Sequence, residues 1–292
     1  MKQANFTQVE SAAKKKITRR ERFFMKISVI MTVKNGQSYI GKSIDSIIRQ
    51  TYPVFEIVVV DDGSSDDTLL VLHGLVQSFD NIIIIRTTGV GRSQALNLAI
   101  KKSSGDWIAN LDVDDLWHPD KLRLQANEVS KISNINIIST GTEIIYDDDA
   151  PNFENFYEGV VDTFNSSNFY SDNKVCHSSV LMSRELLDNV GGYNFRLNKQ
   201  VDLDLWYRIL NNGYLIYNVP VPLTAKRIHK NQSYENKNRL RYITHSVKMT
   251  FSFLKNNKAP FRYHFLNFMR FFYHFLPFYI RNYLGKVIKP KL

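Results

Sequence analysis

Two clusters of carboxylates set the chemistry this sequence can support. Asp61 and Asp62 stand in the run Asp61-Asp62-Gly63-Ser64, and Asp112, Asp114 and Asp115 in Asp112-Val113-Asp114-Asp115. Each cluster ends a short apolar run, Phe55 to Val60 in the first case and Trp107 to Leu111 in the second. A lone Asp after such a run is a turn former or a helix cap. Two clusters at strand ends of the same sheet predict a site instead, because five carboxylates on one rim repel one another unless they share a cation. Carboxylate oxygens suit Mg²⁺ or Mn²⁺. A third apolar run closes on Thr32-Val33-Lys34-Asn35 and adds a positive charge to the same rim.

A rival motif lies just beyond it. Gly36-Gln37-Ser38-Tyr39-Ile40-Gly41-Lys42-Ser43 satisfies GxxxxGK[ST], the phosphate-cradling loop of NTPases. Such a cradle needs small residues in an open loop, whereas Ile40 already belongs to a helical stripe with Ile44 and Ile47. A P-loop NTPase therefore stays an alternative that leaves Asp112 and Asp114 unused. No GxGxxG follows a strand, so no nicotinamide or flavin site is expected.

The elements that must position these residues alternate. Strands are expected at Ile27 to Val33, Phe55 to Val60, Ile82 to Ile85 and Trp107 to Leu111. Helical spacing joins Ile40, Ile44, Ile47 and Ile48, then Leu69, Leu72, Leu75 and Val76, then Ala95, Leu98 and Ala99; Pro119 opens a further helix. The order predicts an α/β fold, a mainly parallel sheet with helices on both faces, whose ligands bind beyond the C-terminal strand ends. After about residue 135 the pattern loosens. Ile137 to Tyr146 reads as one long strand or two, and residues 147–174 as a loop or mobile lid. Val180 to Met182 reads as a strand, and Arg184 to Val190 as a helix closed by Gly191-Gly192. Leu203 to Leu210 reads as a helix, followed by two short strands, Leu215 to Val219 and Leu223 to Ile228.

In this order the motifs resemble the family 2 glycosyltransferases. The resemblance rests on Ile27-Ser28-Val29-Ile30-Met31-Thr32, on Tyr39 through Gln50-Thr51-Tyr52-Pro53, on Val60-Asp61-Asp62-Gly63-Ser64-Ser65-Asp66-Asp67-Thr68, and on Leu111-Asp112-Val113-Asp114-Asp115. It covers residues 27–230, which divide at 118 into a nucleotide-binding half and an acceptor half. It implies a GT-A fold, a nucleotide-sugar donor, a divalent metal (Mn²⁺ or Mg²⁺) and inversion at the anomeric carbon. UDP is the commoner donor nucleotide; GDP and dTDP remain open. Thr32, Lys34, Asn35, Asp61, Asp62, Arg92, Asp112 and Val113 are expected on the donor side, with Asp62 at the base, Arg92 at the base or diphosphate and Asp112 at the ribose. Asp114 is the expected metal ligand. Val201-Asp202-Leu203-Asp204-Leu205-Trp206 resembles the family's Glu-Asp-x-Asp-x-Trp stretch, which makes Asp202 the catalytic base; Val201 stands where an acid is usual. Asp204 is expected as a structural or acceptor contact and Trp206 as core or sugar platform. His177 and Ser178 belong to the stretch that shapes the sugar and acceptor pocket. In Arg227-Ile228-His229, His229 is expected to reach the metal or the diphosphate. A membrane-surface protein on an inactive GT-A fold is the non-enzymatic alternative.

Composition sets the boundaries. The chain has 292 residues, 43% apolar and 23% charged, which excludes a mostly disordered or collagen-like chain. Its single cysteine excludes an internal disulfide and suits a reducing, cytoplasmic setting. The net charge of +10 suggests nucleic acid until it is divided. Residues 1–26 carry eight basic and two acidic side chains, residues 224–292 fifteen and one, and the segment between is net acidic. That pattern predicts a basic N-terminal extension (1–26), an acidic catalytic middle, and basic aromatic helices over 231–292 that meet anionic lipid rather than nucleic acid, with packing on their own domain or as a dimer the alternative. Eleven of the twenty-four residues from Phe261 to Leu284 are aromatic, and Asn267, Arg270, His274 and Arg281 form one polar stripe at helical spacing, with a kink expected at Pro277. Leu240, Ile243, Val247, Phe251 and Leu254 mark a preceding amphipathic helix. No secretory signal and no membrane-spanning helix is expected. The expected location is the cytoplasmic face of a plasma membrane, with an oligosaccharide or lipid-linked acceptor in surface-glycan assembly such as O-antigen or capsule.

Overall fold

A computed structural model describes residues 25–76, 79–153, 158–229 and 239–273. The first half alternates as expected: β1 (Ile27–Val33), α1 (Ile40–Ile48), β2 (Glu56–Asp61), α2 (Thr68–Val76), β3 (Ile82–Arg86), α3 (Arg92–Lys102) and β4 (Trp107–Asn110). Then come β5 (Leu116–Trp117), α4 (Lys121–Lys131), β6 (Ile137–Tyr146), β7 (Asp162–Phe164), β8 (Leu181–Ser183), α5 (Arg184–Val190), α6 (Val201–Asn211), β9 (Ile216–Ile228), α7 (Arg239–Asn256) and α8 (Phe261–Tyr273).

All nine strands join one sheet in the order β3-β2-β1-β4-β8-β6-β9-β5, with β7 beside β9. The β3-β2-β1-β4 half is wholly parallel. Beyond β4 the sheet is mixed, yet β6 and β9 run with the first four, so the mainly parallel sheet expected from the sequence is present and only β5, β7 and β8 oppose it. Side chains of β1 and β2 alternate between two cores. Val29, Met31, Ile57 and Val59 pack with Ile40, Ile44 and Ile47 of α1 and Leu72 of α2. Ile30, Val58 and Val60 pack with Ala95 and Leu96 of α3 and with Leu205, Trp206 and Ile209 of α6. Burial on both faces explains why these strands read as continuous apolar runs. Ser28 is the fully buried polar residue of β1, and its hydroxyl donates to Glu56 Oε1 (2.6 Å).

The second half departs from expectation in two places. Residues 147–174 include β7 and a 3-10 turn at Ser166–Phe169 rather than loop alone. The two short strands expected after α6 are one, β9, despite Pro220 and Pro222. Its partner β6 absorbs the prolines: the pairing jumps from Thr140↔Val219 to Gly141↔Pro222 to Thr142↔Thr224. A side chain at Gly141 would lie 2.7 Å from the Val221 carbonyl, so the irregularity requires glycine there. One strand thus runs from the core to the rim and delivers Arg227 and His229.

The C-terminal helices pack on this body. Phe253 of α7 stacks on Tyr207 of α6, with ring centroids 3.9 Å apart. Phe253 and Leu254 turn inward while Phe251 is exposed. The polar stripe of α8 also faces the protein. Asn267 is buried and donates to the Val247 carbonyl (3.0 Å), and Arg270 donates to Asp172 (2.7 Å). Phe261, Phe265, Leu266, Phe268, Met269 and Phe272 are left outside. Among the described residues no helix is long and apolar enough to cross a membrane. His274, Pro277 and Arg281, and most of the basic N-terminal extension, lie outside the described residues.

Candidate active site

The C-terminal ends of β1, β2, β4 and β9 form one rim, and α6 points its first turn at it. On the donor side, Asn35 has a left-handed backbone (φ +56°) and ties two strand ends together. Its N–H donates to Ser64 Oγ (2.8 Å) and its Oδ1 accepts from the Ser65 N–H (2.8 Å). Asp61 is fully buried and accepts from the Ser64 N–H (3.0 Å), with Arg86 at 3.8 Å, so it holds the loop. Asp62 accepts from Thr87 Oγ1 (2.6 Å) and from the N–H groups of Val90 (2.7 Å) and Gly91 (2.9 Å). Burial works against its charge, but these three donors and nearby Lys34 hold the carboxyl below its ordinary value. Thr32 is half-buried and Lys34 exposed at the end of β1.

Asp112 is the most tightly held group. Arg92 donates to both of its oxygens (2.7 and 2.6 Å), Asn110 Nδ2 lies at 3.2 Å and His177 Nδ1 at 3.0 Å. Burial opposes ionisation, yet Arg92 and His177 keep this carboxyl well below the usual range. The guanidinium of Arg92 is raised mainly by Asp112, with further pull from Asp202 and Asp114, so the three carboxylates share one field. Asp115 turns inward. Its Oδ1 accepts from the Arg227 N–H (2.9 Å), and Ser178 Oγ donates to its Oδ2. Burial, then Asp114 and Asp112, push its carboxyl well above the usual range.

Asp114 Oδ2 faces His229 Nε2 at 3.1 Å. The Tyr39 ring stands beside them, 4.8 Å from the imidazole and 5.5 Å from the buried Arg227 guanidinium. That guanidinium is pinned by the carbonyls of Asp114, Asp147 and Asp149. Among the described residues no three His, Cys, Asp or Glu side chains gather as one metal-holding group.

Across the cleft, Asp202 sits in the first turn of α6, where the helix dipole favours a carboxylate. The residue before the helix, Gln200, is in the left-handed region (φ +55°). Among hydrogen-bond donors of the described residues, only Asn173 Nδ2 approaches Asp202, at 3.4 Å. The four residues expected in the acceptor pocket lie behind the cleft. His177 and Ser178 are buried against Asp112 and Asp115. Asp204 pairs with Arg208 (2.8 Å), whose guanidinium also caps the Val190 and Gly192 carbonyls. Trp206 is core, with no exposed surface.

Lys226 reaches the site without having been singled out from the sequence, while Tyr39 and Arg227 stood there only inside motifs and Asp115 only as one of the rim acids, with no role of their own. Lys226 is exposed, and against the cost of burial Cys176, Asp115, Asp202 and Asp112 raise its ammonium. The GxxxxGK[ST] match had drawn attention to Lys42 and Ser43 instead. Lys42 pairs with Asp148 (3.6 Å) on the surface, and the Ser43 hydroxyl donates to the Val113 (2.7 Å) and Asp115 (2.9 Å) carbonyls. Both are therefore in use elsewhere, and helix α1 occupies the place of a phosphate cradle.

The comparisons with known proteins agree with this geometry. Residues 28–191 match glycosyl transferase family 2. The O-antigen biosynthesis glycosyltransferase WbnJ of Escherichia coli is 31% identical over 255 residues, 85% of this chain and 94% of the relative. The putative glycosyltransferase EpsE of Bacillus subtilis is 28% identical over 69% of this chain and 73% of its own length. An uncharacterized glycosyltransferase of Rickettsia felis is 28% identical over 70% of this chain, which spans only 35% of that longer relative. Among solved structures, Staphylococcus aureus TarS residues 1–349 with UDP-GlcNAc superimposes with a TM-score of 0.65 at 18% identity, over 92% of this chain and 77% of that one. The Pyrobaculum calidifontis mannosyltransferase PcManGT, solved with GDP-Man and Mn²⁺, gives a TM-score of 0.60 at 20% identity, over 86% of this chain and 70% of that one. A rim of carboxylates on a GT-A sheet, a family match over more than half the chain and a relative matched over 94% of its length lead to one assignment: this chain belongs to glycosyl transferase family 2.

Proposed function

We propose that the chain transfers a sugar, with inversion, from a nucleoside diphospho-sugar to a hydroxyl of a glycan or lipid-linked acceptor in surface polysaccharide assembly. One observation carries this reading: the rim gathers Asp112, bound by Arg92 (2.7 and 2.6 Å) and His177 (3.0 Å), with Asp114, which faces His229 (3.1 Å), while Asp202 opens α6 with only a 3.4 Å contact to Asn173 among the described residues. Lys34, Asp62, Arg92 and Asp112 bind the nucleoside diphosphate. Asp202 accepts the proton of the acceptor hydroxyl as its oxygen attacks the anomeric carbon from the side opposite the diphosphate. The new glycosidic bond forms as the bond to the phosphate oxygen breaks, and the nucleoside diphosphate departs. TarS bound to UDP-GlcNAc and the mannosyltransferase bound to GDP-Man support a UDP or GDP donor. The O-antigen role named for the Escherichia coli relative supports the acceptor class.

Asp114 and His229 fit a divalent metal. Their facing atoms are 3.1 Å apart, close to the spacing of about 3.0 Å expected for neighbouring ligands of an octahedral ion with ~2.1 Å bonds. Two protein ligands leave positions for diphosphate oxygens and water. When bound, the ion supplies positive charge to the leaving diphosphate.

A thermal-shift panel of UDP-, GDP- and dTDP-sugars with and without Mn²⁺ tests the donor assignment, since a ligand of the native state raises the melting temperature. No shift and no Mn²⁺-dependent donor hydrolysis with any of them would leave the inactive-fold alternative in place. The outward aromatic face of α8 supports a second element, contact with an anionic bilayer surface at the cytoplasmic side of the plasma membrane. Sedimentation with phosphatidylglycerol vesicles checks it: Phe268→Ser/Phe272→Ser must reduce binding, and undiminished binding ends the idea.

A further inference from the structure

Tyr193 lies outside every role assigned above, yet the structure builds it into the donor side with unusual care. Gly192 has a left-handed backbone (φ +62°), and a side chain there would lie 2.8 Å from Asn97 Oδ1. The Asn97 amide takes that space. Its Oδ1 accepts from the Tyr193 N–H (2.8 Å) and its Nδ2 donates to the Tyr193 carbonyl (2.7 Å). Arg208 donates to the Gly192 carbonyl (2.8 Å) from the other side. The backbone is thus clamped on both flanks, the ring is buried, and its hydroxyl ends 2.8 Å from His177 Nε2.

His177 has three neighbours at Nδ1: Arg92 at 3.1 Å, Asn110 Nδ2 at 2.9 Å and Asp112 Oδ1 at 3.0 Å. A guanidinium and an amide NH₂ only donate, and a carboxylate only accepts. Both donors already reach Asp112 directly. For a neutral ring, the arrangement that satisfies the carboxylate at every contact has the proton on Nδ1, donated to Asp112. Nε2 then carries a lone pair, and the partner facing it must donate. Burial, with the charge of Asp112 behind it, raises the Tyr193 hydroxyl above its ordinary value, so it keeps the proton it donates.

We propose that Tyr193 is a positioning residue of the donor site: its hydroxyl fixes the Nδ1–H tautomer of His177, and His177 in turn holds the Asp112 carboxylate in the orientation that meets the nucleoside diphosphate. The inference rests on the reading of Asp112 as a donor-binding group. It also gives the Gly191-Gly192-Tyr193 turn a purpose beyond closing α5.

The test is a double-mutant cycle on binding of whichever of UDP, GDP or dTDP the wild-type chain takes up with Mn²⁺, measured by titration calorimetry. Tyr193→Phe removes one buried hydrogen bond and is expected to weaken binding roughly three- to tenfold. In an Asp112→Asn background the same change is expected to cost less than about twofold, because the relay has lost its target. His177→Asn places an amide N–H near the Nδ1 position and is expected to bind better than His177→Ala; this pair carries the test if Tyr193→Phe does not fold. Wild-type affinity in Tyr193→Phe, an undiminished Tyr193→Phe effect in the Asp112→Asn background, or equal losses in the two His177 variants would overturn the relay alone. Wild-type affinity in Asp112→Asn would instead overturn the donor-site reading and the relay with it.

Discussion

The two walls of the cleft are built to different specifications. On the donor wall, Asp62 accepts three hydrogen bonds at 2.9 Å or less, and Asp112 is held by Arg92, Asn110 and His177. On the opposite wall, Asp202 has one long hydrogen-bond contact among the described residues, 3.4 Å from Asn173. On the proposed roles, the difference follows from what each carboxylate would have to do. A group that grips a ligand gains from being fixed in advance, since its orientation is no longer part of the cost of binding. A group that must take a proton needs a lone pair free when the acceptor arrives, and every firm hydrogen bond to it lowers its basicity.

The sharpest way to break that comparison is to neutralise the free carboxylate. Asp202→Asn is expected to lower kcat by about 10²- to 10⁴-fold while donor affinity stays near wild type; a matched loss of donor affinity in calorimetry would place Asp202 on the gripping wall instead. Asp112→Asn should do the reverse. Removing a charge-assisted partner of Arg92 weakens nucleoside diphosphate binding by about 10- to 100-fold, with the smaller change in kcat.

Next in size is the buried polar cluster at the opposite, N-terminal ends of β1 and β2. Glu56 is buried and accepts from Ser28 Oγ and from the N–H and hydroxyl of Ser104. Burial alone would raise its carboxyl, but these bonds bring it below its ordinary value, as they do for Asp62. A lowered folded-state pKa means that the unfolded chain takes up the proton first. The stability from both groups is therefore complete above the ordinary carboxylate range and drains away as pH falls through the folded-state values. Urea unfolding at pH 7, 5, 4 and 3 reads this out. Glu56→Gln should cost about 1–3 kcal/mol at pH 7 and progressively less at acid pH; a pH-independent cost would contradict the assignment. The smallest effect is expected behind the Asp202 wall. Asp204→Asn removes a partly exposed i,i+4 pair worth about 0–1 kcal/mol and should leave acceptor KM unchanged, because Asp204 serves Arg208 rather than the cleft.

Legibility in the sequence followed the same physical divide. β1, buried on both faces, was readable to the residue from its apolar run, and α5 from its Gly191 stop, where the backbone turns left-handed (φ +75°). β7 is three residues, Asp162 to Phe164, too short and polar to stand out from a loop. β9 was split in reading because Pro220 and Pro222 normally interrupt a ladder; the accommodation lies in β6, at Gly141, far away in sequence. The site divided likewise. Residues at strand ends were found because a strand fixes where its end points. His177 and Tyr193 were not placed against Asp112, because an imidazole's direction is set by contacts 65 and 16 residues distant. For α8 the polar stripe was visible, but periodicity says only that a helix has two faces. Which of them meets protein was decided by Asp172 and the Val247 carbonyl.

That inverted helix has a practical consequence for anyone handling the protein. In plain buffer α8 presents Phe261, Phe265, Phe268 and Phe272 side by side to water, and like surfaces of separate molecules find each other. The purified chain should therefore elute on size-exclusion chromatography at a volume that moves earlier with loading concentration and returns to a single late peak in mild detergent. What looks like poor colloidal behaviour would be the signature of the apolar face that α8 turns outward.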